Sequence, residues 1–361
     1  MMSRIYSVII GTGSYIPENI IRNQDFEKNE FFDEKGEKID SPTETIIDKF
    51  TQITEIEERR HVEDGHRTSD MAFHASKNAI EHAGIDPETL DYIIVAHNFG
   101  DLEKGSLQSD MLPSLASRVK ELLGIENPKT IAYDVIFGCP GWVQGVIEAD
   151  YFIRSGDAKR ALVVGADILS RISDQHDRDS MIYADGAGAT VLEGVENDTP
   201  IGILAHSTRT DANGQTYNLF MGKSYNEAHE QSNMYIKMYG RKIYNYALTN
   251  VPPVVKESIE KANINIEDIS KVLIHQANAK MDDAILARLF KLYGKRDIPK
   301  GIMPMTIEKL GNSSVATVPT LLDLILKGNM EGHTLGRGDL SVFCSVGAGM
   351  NINSIVYKFP E

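Results

Sequence analysis

The chain has 361 residues, of which 42% are hydrophobic and 7% aromatic, a composition typical of a globular protein with a sizeable core. Its 37 lysine and arginine residues against 52 acidic residues give a net charge of −15, which argues against general nucleic-acid binding because that depends on neutralising phosphates. No apolar stretch is long enough to span a bilayer, no secretory signal is visible, and two cysteines cannot form a disulfide framework, so we expect a cytoplasmic protein without a membrane span.

Helical stretches alternate with short apolar runs along the chain. Residues 24–45 are rich in Glu, Lys and Asp and predict a solvated excursion on the surface. Residues 207–234 are polar, with a turn signal at Asn213-Gly214, and predict a long loop over the second half. The alternation itself predicts mostly parallel sheets covered by helices, which is an α/β fold.

An internal repeat relates residues 80–95 (IEHAGIDPETLDYIIV) to residues 259–274 (IEKANINIEDISKVLI). Identical residues recur at Ile80/Ile259, Glu81/Glu260, Ala83/Ala262, Ile85/Ile264 and Glu88/Glu267. Both segments read as a helix, a turn and a buried strand. A weaker echo pairs the helical stretch that begins at Gly138-Cys139 with the one that begins at Gly311-Asn312. We therefore predict two duplicated halves, residues 1–197 and 198–361.

Cys139 is a candidate nucleophile. It follows an apolar strand and Gly138, and Pro140 after it is typical of a first helical turn. A thiol at the start of a helix faces unpaired amides and the positive end of the helix dipole, which favour the thiolate. A small buried residue is an equally good interpretation of the local sequence, and Cys344, inside the strand SVFCSV, is predicted to be one.

His275 and Asn312 are the candidate partners of Cys139. His275 ends the predicted strand VLI, at the edge of an α/β sheet where ligands bind, although a structural histidine is common there. Asn312 occupies the helix-start position that Cys139 has in the other half, although asparagine is also a favoured helix cap. If the halves pack about a pseudo-twofold axis, all three residues meet near the centre, where a thiolate beside two neutral donors suits thioester chemistry.

With these residues in place, the chain resembles the β-ketoacyl-acyl-carrier-protein synthase III family of the thiolase superfamily over nearly its whole length. The resemblance rests on Cys139 followed in order by two motifs, HQAN at 275–278 and GNSSVATVP at 311–319. Further matching segments are IIGTGSYIP at 9–17, ADGAGATVLEG at 184–194 and SVGAGMNINSIVYKF at 345–359. The resemblance implies a five-layered αβαβα fold and a homodimer.

The same resemblance implies an activity. Cys139 would take an acyl group from a thioester primer, while His275 and Asn312 hold the malonyl donor during decarboxylation. The backbone amides of Cys139 and Ala348 would form the oxyanion hole. We expect no cofactor and no metal, because the acyl-CoA or acyl-carrier thioester is itself the substrate. The implied function is a decarboxylative Claisen condensation with malonyl-carrier protein in fatty acid or related lipid biosynthesis.

The expected binding residues follow the family only in part. Arg178 and Asn278 match substrate-binding positions, and Leu112 matches a position that reaches across the dimer into the partner's acyl tunnel. A tryptophan and an arginine that grip the coenzyme A adenine in the family correspond to Lys49 and Ile53. A primer carried on an acyl carrier protein therefore becomes an alternative to acyl-CoA.

An acidic carrier protein requires a basic docking surface. Residues 271–300 are locally basic, and the docking candidates there are Lys280, Arg288 and Lys291. Lys280 stands where the family uses an arginine for docking, although a solvated helix face explains the charges almost as well.

The sequence is also compatible with two other functions. One is a specialised ketosynthase of a dialkylresorcinol-type pathway, and another is an acyltransferase that uses the same Cys–His–Asn site. Non-decarboxylative condensation is disfavoured by the HQAN and GNSS pair, and a non-catalytic partner subunit is disfavoured because the three site residues are all kept.

Overall fold

The structure is a computed structural model that describes residues 4–229 and 231–361. Its strands are β1 (Arg4–Tyr15), β2 (Asn19–Arg22), β3 (Glu58–His61), β4 (Tyr92–Ala96), β5 (Ile131–Val135), β6 (Arg160–Ile168), β7 (Asp185–Asn197), β8 (Gly202–Thr210), β9 (Leu219–Gly222), β10 (Tyr235–Met238), β11 (Ile269–Ile274), β12 (Leu340–Gly347) and β13 (Asn351–Lys358). Its α-helices are α1 (Thr43–Thr54), α2 (Thr68–Ala83), α3 (Leu115–Leu122), α4 (Gly141–Ser155), α5 (Gly240–Lys261), α6 (Ala279–Leu292), α7 (Ile307–Leu310) and α8 (Thr317–Leu326).

Two sheets of related topology form the framework. The first has the order β1-β7-β6-β4-β5, and the second has the order β8-β13-β12-β11. In the first sheet β5, β4 and β6 pair in parallel, and β7 and β1 continue it with antiparallel pairing. In the second sheet β11 and β12 pair in parallel, and β13 and β8 continue it with antiparallel pairing. In the second sheet, the position equivalent to β5 is taken by an irregular segment around Ile302. The backbone N–H of Val272 on β11 donates to the Ile302 carbonyl at 2.8 Å.

Helices cover and separate the sheets. Helices α2 and α3 pack on the outer face of the first sheet, α4 and α8 lie between the sheets, and α5 and α6 cover the second sheet. Strand β4 (YIIVA) is apolar on both sides because helices cover both faces of its sheet. The predicted five-layered αβαβα fold is confirmed.

The duplication is visible in how the repeated segments are placed. The first pair becomes α2 followed by β4 and α5 followed by β11, in equivalent places of the two sheets. The second pair becomes α4 followed by β6 and α8 followed by β12. Strand β7 ends at Asn197 and β8 begins at Gly202, so the chain passes from the first sheet to the second between these two residues. The division into domains 1–197 and 198–361 stays a prediction.

The predicted surface segment at 24–45 is exposed or half-buried except at Phe31, which is 2% exposed and packs in an apolar cluster with distant residues such as Leu102 and Met181. Helix α1 begins within its last residues, at Thr43. A second surface prediction needs correction. The predicted loop at 207–234 contains β9, which pairs with β10 as an antiparallel ribbon. Glu230 lies outside the described residues. In the part of the chain that the structure describes, no helix has the length and apolarity to cross a bilayer.

Candidate active site

Cys139 is presented by a tight connection between β5 and α4. Gly138 has φ of 68°, and a Cβ there would lie 2.7 Å from the backbone nitrogen of Ala348, so only glycine fits. A Cβ on Gly347 would similarly lie 2.5 Å from the backbone nitrogen of Cys139. The two glycines therefore bring the amide groups of Cys139 and Ala348 to the same small region.

His275 follows the last residue of β11, as the sequence predicts. The backbone N–H of His275 donates to the backbone carbonyl of Cys344 at 2.8 Å, which continues the parallel pairing with β12 by one residue. The side chain is 3% exposed, and burial lowers the pKa of His275 to about 4, so its imidazole is neutral near pH 7. A backbone contact with Ser314 partly opposes this shift, but Nδ1 has no hydrogen bond of normal geometry within the described residues.

Asn312 lies at the start of the connection that leads through a 3₁₀ turn into α8. Its backbone pairs with the segment before β7, where its N–H donates to Ile182 and its carbonyl accepts from Ala184. The side-chain Oδ1 accepts from the Ser314 N–H at 2.8 Å. The carboxamide is thereby oriented, and its NH₂ group remains as a donor.

These three side chains line one cavity of about 400 Å³, together with Ala348. The β9–β10 ribbon supplies much of the apolar wall through Leu219, Phe220, Met221, Ile236 and Met238. A neutral imidazole, a carboxamide donor and a thiol thus face a largely apolar space. Such a space strengthens hydrogen bonds to a developing negative charge because water is excluded.

A second cavity of about 520 Å³ adjoins the first and shares Asn312 and Met281 with it. Arg178, Asn278, Lys49 and Ile53 all line this second cavity. The Asn278 Oδ1 also accepts from the Met281 N–H at 3.0 Å, which caps α6. The structure therefore gathers the predicted substrate-binding residues of this chain beside the site, except Leu112.

Leu112 and the basic residues lie on the surface. Leu112 is 89% exposed and precedes Pro113 on the connection between β4 and α3. Lys280, Arg288 and Lys291 are exposed on α6, and the Arg288 guanidinium donates to the Leu248 carbonyl at 3.0 Å. Arg288 therefore ties α6 to α5 as well as offering a charge.

The ionisation of Cys139 differs from the expectation of a stabilised thiolate. The pKa of Cys139 is raised to about 11, chiefly by burial and less by the negative charge of Asp167, while a hydrogen bond from Ser314 opposes the rise. Desolvation outweighs the helix start because the sulfur lies in an apolar cavity. The resting form is the neutral thiol.

Sequence reasoning missed three residues around the sulfur, namely Ser314, Asn98 and Asp167. Ser314 Oγ donates to Cys139 Sγ at 3.4 Å, and Asn98 Nδ2 donates to both Ser314 Oγ and Asp167 Oδ2. The signal that could have found them is a carboxylate in the otherwise apolar strand ALVVGAD, which must have a buried partner. Among the described residues, no group of His, Cys, Asp and Glu could hold a metal ion.

Comparison with known proteins adds to this geometry. Two family models match the chain, "3-Oxoacyl-[acyl-carrier-protein (ACP)] synthase III" over residues 133–212 and its C-terminal counterpart over residues 259–359. A β-ketoacyl-acyl-carrier-protein synthase III of Halalkalibacterium halodurans is 32% identical over 97% of this chain and 98% of its own length.

Solved structures agree in fold over the full length. The 3-oxoacyl-acyl-carrier-protein synthase III of Aquifex aeolicus superposes with a TM-score of 0.79 at 31% identity, covering 98% of this chain and 100% of that one. A priming β-ketosynthase from a polyketide biosynthetic pathway gives a TM-score of 0.79 at 25% identity, covering 100% of this chain and 98% of the other.

Proposed function

The chain belongs to the 3-oxoacyl-acyl-carrier-protein synthase III family of acyltransferase-type condensing enzymes, and we propose that Cys139 is its acyl-accepting nucleophile. The observation that carries this proposal is the shared apolar cavity of Cys139, His275 and Asn312. In the first half-reaction the sulfur attacks the primer carbonyl, and the thiol proton leaves with the released primer thiol. The backbone N–H groups of Cys139 and Ala348 stabilise the oxyanion.

In the second half-reaction, His275 and Asn312 donate hydrogen bonds to the thioester carbonyl of a malonyl donor on a carrier protein. Loss of carbon dioxide leaves an enolate whose charge develops on that oxygen, where the two donors stabilise it. The enolate carbon attacks the acyl-cysteine, the carbon–sulfur bond breaks, and the thiolate regains a proton. The low pKa of His275 supports this role, since a neutral imidazole keeps a neutral donor at the enolate without adding a charge.

The second cavity is the proposed channel for the thioester arm of each substrate. Arg178 and Asn278 line it, and the aromatic rings in its lining are those of Phe50 and Tyr244. Lys49 and Ile53 replace the tryptophan and arginine with which the family grips an adenine, and this replacement favours a primer carried on an acyl carrier protein over acyl-CoA. The exposed Lys280, Arg288 and Lys291 on α6 would attract that acidic partner.

The pathway and the assembly are also proposals. The enzyme would serve fatty acid biosynthesis or a specialised lipid or polyketide pathway, and it would act in the cytoplasm without a cofactor. It would form a homodimer in which Leu112 contacts the partner. The likeness to a priming ketosynthase is the observation that favours keeping the specialised pathway as a second candidate.

The nucleophile assignment is tested by intact-mass analysis after incubation with acyl-carrier and acyl-CoA thioesters, followed by malonyl-dependent release of carbon dioxide. We expect the native protein to gain one acyl mass and the Cys139→Ala variant to gain none. Cys344→Ala is the matched control, because Cys344 is 0% exposed in β12 and should not affect loading. Acylation of Cys139→Ala at the native rate would refute the proposal.

A further inference from the structure

The cavity around Cys139 has no charged residue among its described lining. Beyond the site residues, its wall is formed mainly by apolar side chains, among them Leu219 of β9. Four more are methionines (Met221, Met238, Met281 and Met350), which adapt to irregular ligands because they are unbranched and flexible. Such a wall binds hydrocarbon and holds water poorly.

The volume is larger than a two-carbon primer needs. A cavity of about 400 Å³ has room for roughly 13 groups of the size of a water molecule, at ~30 Å³ each. The cavity opens to the surface beside Ile136 and Met221, which are 61% and 37% exposed, on the face where the proposed homodimer would bring Leu112 of the partner subunit to close it. After space is left for that closing side chain, the reacting carbonyls and the donor, about eight carbons still fit by the same measure.

We infer that the primer is a medium-chain acyl group of about eight carbons rather than acetyl. This inference rests on the proposed function, since it names the substrate of the same cysteine. An acetyl group would leave most of the apolar wall unfilled. Each further methylene buried against that wall should raise the specificity constant for loading about fourfold, which corresponds to ~0.8 kcal/mol.

The test compares acyl-carrier thioesters from acetyl to dodecanoyl, with Cys139 acylation followed by intact mass. Octanoyl should load at least about a hundredfold faster than acetyl at equal low concentration, since several methylenes contribute. Acetyl loading as fast as octanoyl would overturn the chain-length inference and leave the proposed function standing. No loading by any thioester would instead refute the nucleophile.

A variant locates the chain within the cavity. Leu219→Trp adds bulk to the wall and should lower the octanoyl-to-acetyl loading ratio at least about tenfold. Leu122→Trp, at a 46% exposed position on α3, should leave that ratio unchanged. Because the ratio is measured within one variant, partial unfolding cannot imitate the effect. An unchanged ratio in Leu219→Trp would contradict the inference.

A second, independent observation concerns a buried row of hydrogen bonds that runs from Asp167 to the sulfur of Cys139. Asp167 is 1% exposed and accepts from Asn98 twice, from the backbone N–H at 2.8 Å and from Nδ2 at 2.7 Å. The same Nδ2 group donates to Ser314 Oγ at 3.1 Å. Because its oxygen already accepts this bond, Ser314 directs its hydroxyl proton to Cys139 Sγ at 3.4 Å.

Ser314 has an unfavourable backbone conformation at the position from which it donates to Cys139. Its φ of 54° lies in the left-handed region, which is unfavourable for a residue other than glycine. The backbone N–H of Ser314 donates to the Asn312 side chain. Gly165 allows the segment around Ser314 to pack closely on β6, since a Cβ at Gly165 would lie 2.3 Å from the Val315 carbonyl oxygen. Strain retained at a functional segment is typical of a positioned group.

The geometry points to Ser314 as a further catalytic residue that stabilises the Cys139 thiolate, with Asn98 and Asp167 as its positioning residues. The thiolate forms when the enolate carbon displaces it from the acyl group. A hydroxyl donor to an anionic sulfur is a charge-assisted bond and stronger than a neutral one. Asp167 acts in the opposite direction through its negative charge while it holds the donor in place.

The two effects have opposite signs, which a merely structural role would not produce. In Ser314→Ala, the pH profile of Cys139 alkylation by iodoacetamide should move to higher pH, with a rate near pH 8 about tenfold lower. In Asp167→Asn, the profile should move to lower pH because the opposing charge is gone. Ser313→Ala is the matched control, since the Ser313 hydroxyl pairs with Thr317 at 3.4 Å and not with the sulfur.

The other titratable groups near this row of hydrogen bonds are the same in all variants. They are His275 beside the cavity, Tyr183, and the His97–Asp134 pair at 3.0 Å behind Asp167. Their influence on Cys139 cancels when a variant is compared with the native protein. Shifts of the two variants in the same direction, or equal profiles for Ser314→Ala and Ser313→Ala, would overturn the assignment.

Discussion

At the level of single residues, burial determines which protonation states the site can use. His275 is 3% exposed and its pKa is lowered to about 4, while the pKa of Cys139 is raised to about 11. Both shifts have desolvation as their largest cause, since an apolar cavity disfavours charge on either group. The resting pair is therefore thiol and neutral imidazole, and not an ion pair of thiolate and imidazolium.

The neutral state of His275 predicts a pH dependence of stability. The unfolded chain binds a proton at the ordinary histidine pKa near 6.5, while the folded chain binds it only near 4. Stability from this residue is therefore present above pH 6.5 and is lost as pH falls towards 4, by up to about 3 kcal/mol in total.

Urea unfolding at pH 7.0 and 5.0 measures this effect. The native protein should lose more free energy of unfolding on acidification than the His275→Gln variant does. His74→Gln, at a half-buried position on α2, should behave like the native protein. An equal loss in native and His275→Gln protein would show that His275 does not resist protonation.

At the level of elements, the β9–β10 ribbon forms a wall of the cavity and is anchored by one buried cation. Lys237 on β10 is 0% exposed in its side chain and pairs with Asp174 at 2.6 Å and Asp177 at 3.0 Å. Its Nζ also lies 3.5 Å from the centre of the Tyr225 ring. The ribbon is thus tied to the segment before β7 by charge as well as by packing.

Removing that cation should release the ribbon. Lys237→Met leaves two buried carboxylates unpaired and should lower the free energy of unfolding by about 3–5 kcal/mol. Limited proteolysis should cut residues 211–239 faster than in the native protein. Lys242→Met is the control, because Lys242 is exposed and its contact is a single ring, that of Tyr239 at 4.3 Å. Equal stability of the two variants would contradict the anchoring role.

At the level of the whole molecule, apolar side chains gather at one edge of the first sheet. Strand β5 is the edge strand there, with Ile131 49% exposed, and Ile136 just beyond it is 61% exposed. Met111 and Leu112 are 46% and 89% exposed on the connection between β4 and α3. An exposed strand edge with apolar residues near it is typical of a surface that pairs with another chain.

The proposed homodimer gives a prediction for Leu112. Leu112→Asp places a charge where the partner would bury a leucine, so it should weaken the dimer at least tenfold. Sedimentation equilibrium measures the dissociation constant. Ile53→Asp is the control, since Ile53 is 57% exposed and lines the second cavity instead. A monomeric native protein at micromolar concentration would contradict the homodimer.

Much of this molecule could be read from local pattern. The repeat at 80–95 and 259–274 predicted two related sheets because equivalent helices and strands carry equivalent apolar residues. The positions of His275 after a strand and Cys139 before a helix followed from the same periodicity. Local order of this kind is set by backbone preference and burial, both of which the sequence displays directly.

Other properties were decided by residues that are distant in sequence. The polar composition of residues 207–234 did not predict β9. This strand pairs with β10, and β10 is tied to Asp174, which is distant in sequence, through Lys237. The ionisation of Cys139 depends on how deeply the cavity buries it and on Asp167, and neither is visible beside the cysteine in the chain. The sequence by itself therefore determined the family, the layers and the reactive groups. Only the tertiary structure decided their charge states and the size of the cavity, because electrostatics and volume arise from groups that folding brings together.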